Sequence, residues 1–580
     1  MVNIKINNMP LTVKKGTRVI DAAKMVGIDI PHLCYHPDQS VKAHCRMCVV
    51  EVVGSRKLLA SCSTLVWEGM EIHTDTQKVR DTQVGILEMI LADHNQDCLS
   101  CARNGNCDLQ KLCSRFNILK PTLEPVVVKK SVQDGNPSLV RDLSKCIKCG
   151  RCVKACSETQ GICALSYSDR SESFTVTTAF NDQLEKTDCV LCGQCSTVCP
   201  VGAIVEKDDT QKVWDALHDP SKHVIVQVAP SVRVTLGEAF EMPKGSIVTG
   251  KMVSALRIIG FDKVFDTNFA ADVTIMEEGT ELLHRIQNGG KLPMITSCSP
   301  GWVNYMEKHH DHLIGHLSTA KSPQQIFGAL SKSYYSEKAD IDPSNIVTVS
   351  IMPCVAKKYE AARPEMEVNG CRDVDIVLTT REFIKMIKYV GLDFANLQDG
   401  EFDSPLGEGS GAGAIFGTTG GVMEAALRSV SELHTGKPLA SLEFEAVRGN
   451  EGIKAATVNL GGTEIKVAMA HGLKNAKVIM DEIEAGTSEY TFIEIMACPG
   501  GCIGGGGQPI NATFDVKKLR QDALYSIDKG AKVRKSHENQ EVQTLYKEYL
   551  GNPLSEKSHH LLHTYYNKQE KMNAMNCYDL

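Results

Sequence analysis

The sequence predicts a multidomain chain that combines the α+β and α/β classes: a small β-grasp domain, a small helical domain and a cysteine-rich repeat, followed by one large two-lobed α/β domain. Three observations lead there. At 580 residues the chain exceeds what a single hydrophobic core serves. Most of its 23 cysteines stand in close, ordered groups up to residue 199. From about residue 209 the cysteines thin out, and apolar runs ending in special turns take over.

Composition bounds the chemistry. Hydrophobic content of 42% and charged content of 23% are ordinary for a soluble globular protein. A net charge of −7 gives no reason to expect a nucleic-acid or anionic-membrane surface. The start, Met1-Val-Asn-Ile-Lys-Ile-Asn-Asn8, lacks the charged head and apolar stretch of a signal peptide, and no apolar run reaches membrane-spanning length. A cytoplasmic location is the expectation. There so many thiols have no use as disulfides, whereas short C-x2-C and C-x3-C steps suit thiolate-held iron–sulfur clusters.

Residues 1–77 alternate as short strands around one helix: Asn3-Ile-Lys-Ile-Asn7, then Val19-Ile-Asp-Ala-Ala-Lys-Met25, then Val49-Val-Glu-Val-Val53. This is the pattern of a β-grasp unit. Cys34, Cys45, Cys48 and Cys62 punctuate it as C-x10-C-x2-C-x13-C, the plant-type 2Fe-2S arrangement with a lengthened first gap. A four-thiolate zinc site is the alternative, since zinc accepts the same ligands. Residues 78–117 read as mostly helical and lead into His94-x3-Cys98-x2-Cys101-x5-Cys107, one imidazole and three thiolates able to hold a 4Fe-4S cluster. Cys113 reads as packing.

Pro121, Pro125 and Pro137 mark residues 118–137 as a linker. Residues 138–208 then carry an internal repeat: Cys146-x2-Cys149-x2-Cys152-x3-Cys156 and Cys189-x2-Cys192-x2-Cys195-x3-Cys199-Pro200. This is the bacterial two-cluster ferredoxin signature, in which the fourth cysteine of each run serves the other run's cluster. One cubane takes Cys146, Cys149, Cys152 and Cys199. The other takes Cys156, Cys189, Cys192 and Cys195.

Within residues 209–580, four apolar runs read as buried parallel strands. Val224–Val228 precedes Ala229-Pro-Ser-Val-Arg233, and Leu292–Thr296 precedes Ser297-Cys-Ser-Pro300. Ile346–Met352 precedes Pro353-Cys354, and Phe492–Met496 precedes Ala497-Cys498. Parallel sheets bind ligands at the carboxyl ends of their strands, and three of these turns deliver a cysteine, so one shared site is expected. The glycines after Cys502 are not a phosphate loop, because no Gly-Lys-Ser/Thr follows.

The turns Thr296-Ser-Cys-Ser-Pro-Gly-Trp302, Ile351-Met-Pro-Cys-Val-Ala-Lys-Lys358 and Glu494-Ile-Met-Ala-Cys-Pro-Gly-Gly-Cys502 closely resemble the three signatures of the iron-only (FeFe) hydrogenases. The N-terminal clusters are similar to the accessory part of the larger clostridial-type members and of NAD(P)-linked and electron-bifurcating forms. The resemblance implies an H-cluster: a 4Fe-4S cubane bridged by a cysteine sulfur to a two-iron unit with carbon monoxide, cyanide and azadithiolate. It implies Cys354, Cys498 and Cys502 as cubane ligands, with Cys502 the bridge. Lys357 would donate to one cyanide, and Ser231 with the amide after Pro230 to the other. Pro323, Gln324, Met352, Phe416 and Met496 would enclose the two-iron unit. Glycines 504–507 would let backbone approach that cofactor.

The resemblance also implies a proton path from Arg285 and Glu281 through Ser318 and Glu278 to the thiol of Cys298. On their own, Glu278, Glu281 and Arg285 share a helix face that is ordinarily a solvated ion-paired stripe. One position departs from the family pattern, which has two adjacent cysteines where this chain has Cys298-Ser299. Three accounts stay open: Ser299 ligates through oxygen, Cys298 becomes the ligand and forfeits the relay, or three thiolates hold the cubane. Reversible hydrogen chemistry is thus implied, with electrons carried by one 2Fe-2S and three accessory 4Fe-4S clusters. The implied partners are a ferredoxin or flavin- and NAD(P)-binding subunits, since no nucleotide site is read in this chain. The rival is a non-catalytic iron–sulfur electron-transfer subunit or assembly factor. Cys163, Cys371 and Cys577 stay unassigned, and the last 28 residues, with His559, His560 and His563, read as a solvated tail helix.

Overall fold

The computed structural model describes residues 1–124, 132–439, 441–449, 451–460 and 463–569. Part of the expected linker, residues 125–131, lies outside the described residues, as does Cys577.

Alternation builds the first domain. In the strand Val2–Ile6, Val2, Ile4 and Ile6 are buried while Asn3 and Lys5 face out. The hairpin to Met9–Val13 turns on Asn7 and Asn8 at φ 45° and 69°, a left-handed pair that asparagine tolerates. The five-stranded sheet runs Met9–Val13, Val2–Ile6, Met70–His73, Val49–Val52, Leu59–Ala60, with the helix Val19–Met25 burying Val19, Ile20, Ala22 and Ala23. Next comes the helix Gln77–Ala92, whose first turn is capped by the Thr76 hydroxyl accepting from the Val79 amide, and then the helix Asp108–Arg115.

The sequence repeat reappears as a structural one. The short helices Arg151–Lys154 and Gln194–Thr197 each start after a left-handed glycine, Gly150 at φ 71° and Gly193 at φ 74°. They pack against each other, and the second also against an antiparallel sheet of Ile204–Glu206, Leu139–Asp142 and Val132–Gln133.

The large domain holds two four-stranded sheets. One runs Lys263–Asp266, His223–Val228, Ile346–Met352, Ile376–Thr379, all parallel. The other runs Met294–Ile295, Phe492–Met496, Thr463–His471, Ile453–Leu460, with only the last pair antiparallel. All five residues of Phe492–Met496 are buried, as expected of a strand covered on both faces. The helix Thr267–Asn288 packs against Pro323–Leu330 on one side and Gly421–Thr435 on the other, joining the two lobes.

The chain's end corrects one expectation. The helix Glu556–Leu562 is not a solvated tail: Ser558, Leu561 and Leu562 are buried, and the leucines enter a core with Phe327, Tyr546 and Leu550. Backbone pairing then holds the following residues, with the Lys321 amide donating to the Leu562 carbonyl at 2.7 Å and the Thr564 amide to the Thr319 carbonyl at 2.8 Å. Polar histidines on either side of Leu561-Leu562 hide this in the sequence, because an apolar pair gives no helical period.

Candidate active site

The special turns that follow strands of both sheets meet at one cavity. The cavity is lined by Cys298 and Ser299, by Met352, Cys354 and Lys357, and by Met496, Cys498 and Cys502. Pro230, Pro323, Gln324 and Phe416 complete most of its wall. These residues come from separate stretches of chain. Apolar walls around four thiols suit a metal cluster better than a polar metabolite, because thiolates are soft ligands and burial would penalise a charged guest without them. The donor set therefore fits the cubane and two-iron group that the sequence implied.

Electrostatics separate the thiols. Cys354 begins the turn into the helix Ala356–Ala361, and its pKa is lowered by a hydrogen bond from the Cys498 thiol, with help from the Lys357 charge and the Ala356 and Lys357 amides, against burial. Burial pushes the Cys502 thiol up to about 12, and it pushes Cys298 well above the ordinary range, with Glu278 adding to the rise. Ser299 is the N-cap of the helix Pro300–His309, and its hydroxyl oxygen accepts the Ala497 amide at 3.2 Å.

Two residues brace the wall that sequence reasoning missed. Glu360 is buried beside Lys357, which donates to it at 2.9 Å and to the Ser322 hydroxyl at 2.7 Å; Ser322 and Gln324 donate to the same carboxylate at 2.8 and 3.1 Å. The i, i+3 spacing of Lys357 and Glu360 was a readable signal. Gln508 is the other. Its amide nitrogen donates to the Ser231 hydroxyl at 3.2 Å, and its amide oxygen accepts from Thr235 at 2.8 Å. Ser231 thus lies behind Pro230, fully buried, rather than in the cavity wall.

The glycine run has a different cause from the expected one. A Cβ at Gly506 would lie 2.3 Å from the Cys192 carbonyl oxygen, and one at Gly505 2.2 Å from that of Pro353. The glycines admit neighbouring backbone of the protein itself, and only Gly505 reaches the cavity wall. Their packing seats the second cysteine run against the site: Gln194 donates to the Gly504 carbonyl at 2.9 Å and Ser196 to that of Gly506 at 3.1 Å. Burial raises the Cys192 thiol, and the charge of Cys354 is close enough to add to the rise.

The accessory cysteines gather as follows. Cys146, Cys149, Cys152 and Cys199 line one cavity beside Arg141, although Cys199 ends the second run. Burial and then the charge of Cys189 raise Cys156, and burial and then the charges of Cys192, Cys189, Cys152 and Cys156 raise Cys195. In the first domain a hydrogen bond from Cys45 pulls Cys34 down to about 5, and one from Cys62 pulls Cys48 down to about 7. Cys101 perturbs Cys107, while His94 sits half-buried just past the end of its helix.

On the helix Thr267–Asn288, Glu278 and Glu281 are buried, not a solvated stripe. Arg285 forks onto Glu281 Oε1 at 2.5 and 3.1 Å, and the Ser318 hydroxyl donates to Glu281 Oε2 at 3.1 Å. Burial, then the charges of Glu281 and Glu494, push the Glu278 carboxyl up to about 8, while hydrogen bonds from Ser318 and the Ser297 amide pull the other way. Glu278 Oε2 has no hydrogen-bond partner among the described residues.

Known proteins share this arrangement of domains. Residues 222–506 match the C-terminal domain of the iron only hydrogenase large subunit, and 514–569 the iron hydrogenase small subunit. Upstream, residues 1–77 match a 2Fe-2S iron-sulfur cluster binding domain, 83–121 the NADH-ubiquinone oxidoreductase-G iron-sulfur binding region and 145–203 a 4Fe-4S dicluster domain. The chain is 47% identical to NADP-reducing hydrogenase subunit HndD of Solidesulfovibrio fructosivorans, over 99% of this chain and 100% of that one. It is 43% identical to iron hydrogenase 1 of Clostridium pasteurianum, over 98% and 100%. A solved structure of a variant of the [FeFe]-hydrogenase HydA1 of Chlamydomonas reinhardtii superposes on 62% of this chain and 99% of its own with a TM-score of 0.57 and 43% identity. Among the described residues no helix is long and apolar enough to cross a membrane.

Proposed function

Since this chain belongs to the iron-only hydrogenase family and is a hydrogenase carrying 2Fe-2S, 4Fe-4S and H-cluster domains, we propose how its own residues serve that reaction. The observation that carries the reading is the convergence of Cys298, Cys354, Cys498 and Cys502 on one apolar cavity that abuts Cys192. The H-cluster, when bound there, supplies the centre at which two protons and two electrons interconvert with H2. Cys354, Cys498 and Cys502 would hold it through their thiolates. Lys357, kept in place by Glu360 and Ser322, presents its ammonium to an anionic ligand. Pro230, Pro323, Gln324, Met352, Phe416 and Met496 exclude bulk water from the cavity.

Protons reach the cavity through Glu281, Ser318 and Glu278 to the Cys298 thiol. Hydrogen bonds at Glu281 and the near-neutral proton affinity of Glu278 support this order. Ser299 keeps its structural hydrogen bond to the Ala497 amide, and Cys298 is the relay.

One 2Fe-2S and three accessory 4Fe-4S clusters, when bound, would supply one-electron carriers between a partner and the cavity. Cys34, Cys45, Cys48 and Cys62 hold the first, and His94, Cys98, Cys101 and Cys107 the second. The crossed sets of the repeat hold the other two. Flavin- and NAD(P)-binding partner subunits in the cytoplasm fit the likeness to a subunit of an NADP-reducing hydrogenase; a ferredoxin is the other donor the clusters suit. Whole-length identity to two hydrogenases favours this over a non-catalytic role. Infrared spectroscopy of the matured protein should show carbonyl and cyanide bands, together with H2 evolution from reduced ferredoxin. Absence of both after maturation would sink the proposal.

A further inference from the structure

The three most deeply buried arginines among the described residues are Arg141, Arg428 and Arg520. Two of them meet carboxylates: Arg428 pairs with Glu424 at 2.7 Å and Asp528 at 2.8 Å, and Arg520 with Glu238 at 2.7 Å. Arg141 is the exception. Its guanidinium donates to Gln133 Oε1 at 3.0 Å and to the Val176 carbonyl at 2.5 Å, both neutral acceptors, and no carboxylate among the described residues pairs with it. A guanidinium keeps its proton in a protein, so this charge is buried with its hydrogen bonds met and its counter-charge missing.

The surroundings of Arg141 say what the counter-charge is. Leu139 and Arg141 are the buried positions of the strand Leu139–Asp142, and Leu139 enters a core with Cys152 and Cys199. The Arg141 side chain lines the same cavity as Cys146, Cys149, Cys152 and Cys199. Burial lowers its proton affinity, and the charges of Cys152 and Cys146, then of Cys195 and Cys189, raise it. One cation is thus felt by both cysteine runs. The other cations near them have different partners. Arg151 lies 3.7 Å from Asp108, Arg103 is faced by Glu206 and Asp108, and Lys308 donates to the Thr187 and Cys189 carbonyls at 2.9 Å each.

We propose that Arg141 is the counter-ion of the repeat's clusters: its charge balances the cubane held by Cys146, Cys149, Cys152 and Cys199 and raises that cubane's reduction potential. A cubane in four thiolates is a net anion, and reduction adds one more negative charge, which a nearby buried cation stabilises. Low dielectric strengthens that attraction, and no carboxylate competes for the guanidinium. The cubane beside Arg141 therefore takes up an electron more readily than burial alone would allow. The same charge acts on the second cubane more weakly, because Cys195 and Cys189 follow Cys152 and Cys146 in their effect. The inference rests on the crossed ligand sets proposed above, and the test separates the two.

Wild type, R141M, R141K and C146S/C199S would be prepared with their iron–sulfur clusters but without the two-iron unit. They would be compared by metal analysis and by redox titration followed by electron paramagnetic resonance. In R141M the reduced-to-oxidised ratio of one cubane of the repeat, read at its wild-type midpoint, should fall by about tenfold or more. The 2Fe-2S midpoint should not move, and the shifted cubane should be the one absent from C146S/C199S. R141K keeps the charge and should retain most of the wild-type ratio. Loss of this cubane's iron from R141M but not from R141K would support the same role, because charge separates the two variants. Wild-type midpoints in fully loaded R141M, or loss of the cubane from both R141M and R141K, would overturn it. Loss of both cubanes from C146S/C199S would overturn the crossed ligand sets, while the R141M midpoints would still decide the role of Arg141.

Discussion

Glu278→Gln separates a relay acid from a packing residue. The Glu278 carboxyl is raised from 4.5 to about 8, by burial first and then by the charges of Glu281 and Glu494. At about pH 7 roughly nine-tenths of folded molecules keep the proton, whereas the unfolded chain is almost wholly ionised there. The folded state binds the extra proton between about pH 4.5 and 8, so stability falls as pH rises through that window. At about 1.4 kcal/mol per unit, the buried carboxyl costs about 2 kcal/mol at about pH 6 and about 4 kcal/mol at about pH 8, relative to a neutral isostere. Glutamine is neutral throughout and removes this slope. Amide exchange of the helix Thr267–Asn288, compared between wild type and variant at each pH, should therefore diverge by a factor of roughly 30 to 50 across those two units. Turnover should fall by about a hundredfold or more, because a carboxamide cannot carry the proton. An exchange ratio independent of pH, or a variant that keeps its rate, would refute the reasoning.

Three further outcomes are expected. S299C should shift the cubane's midpoint in a redox titration followed by electron paramagnetic resonance if residue 299 binds iron; an unchanged midpoint leaves that role to Cys298 or to three thiolates. K357Q strands the Glu360 carboxylate with only neutral donors and should cost about 3–5 kcal/mol in chemical unfolding, most of which K357M/E360Q recovers. The double variant C146S/C199S should lose one cubane, about four irons by metal analysis, if the two residues share a cluster. Loss of two cubanes would mean that each run holds its own.

Local spacing made much of this protein legible. Cysteine runs at x2 and x3 spacing, alternation in Val2–Ile6 and the apolar strands ending at Met352 and Met496 are short-range patterns, and the structure bears the corresponding elements. Membership of the hydrogenase family was equally local, because three short signatures carry it. Partners distant in sequence were not legible. Gln508 behind Ser231, and Cys192 pressed against Gly506, lie hundreds of residues apart, and only chain closure brings them within contact.

The sequence by itself determined which residues can hold metal, which strands are buried and which turns present the chemistry, since each follows from residue type and near-neighbour period. Tertiary structure alone decided the electrostatic state of those residues. The stripe Glu278, Glu281 and Arg285 is polar on a helical wheel and buried in the fold, so one carboxyl keeps its proton near neutral pH and the next is held by an arginine. The C-terminal histidines changed most. Side-chain polarity alone puts them in solvent, where His559 and His560 do lie, but the burial of Leu561 and Leu562 brings His563 against Thr319.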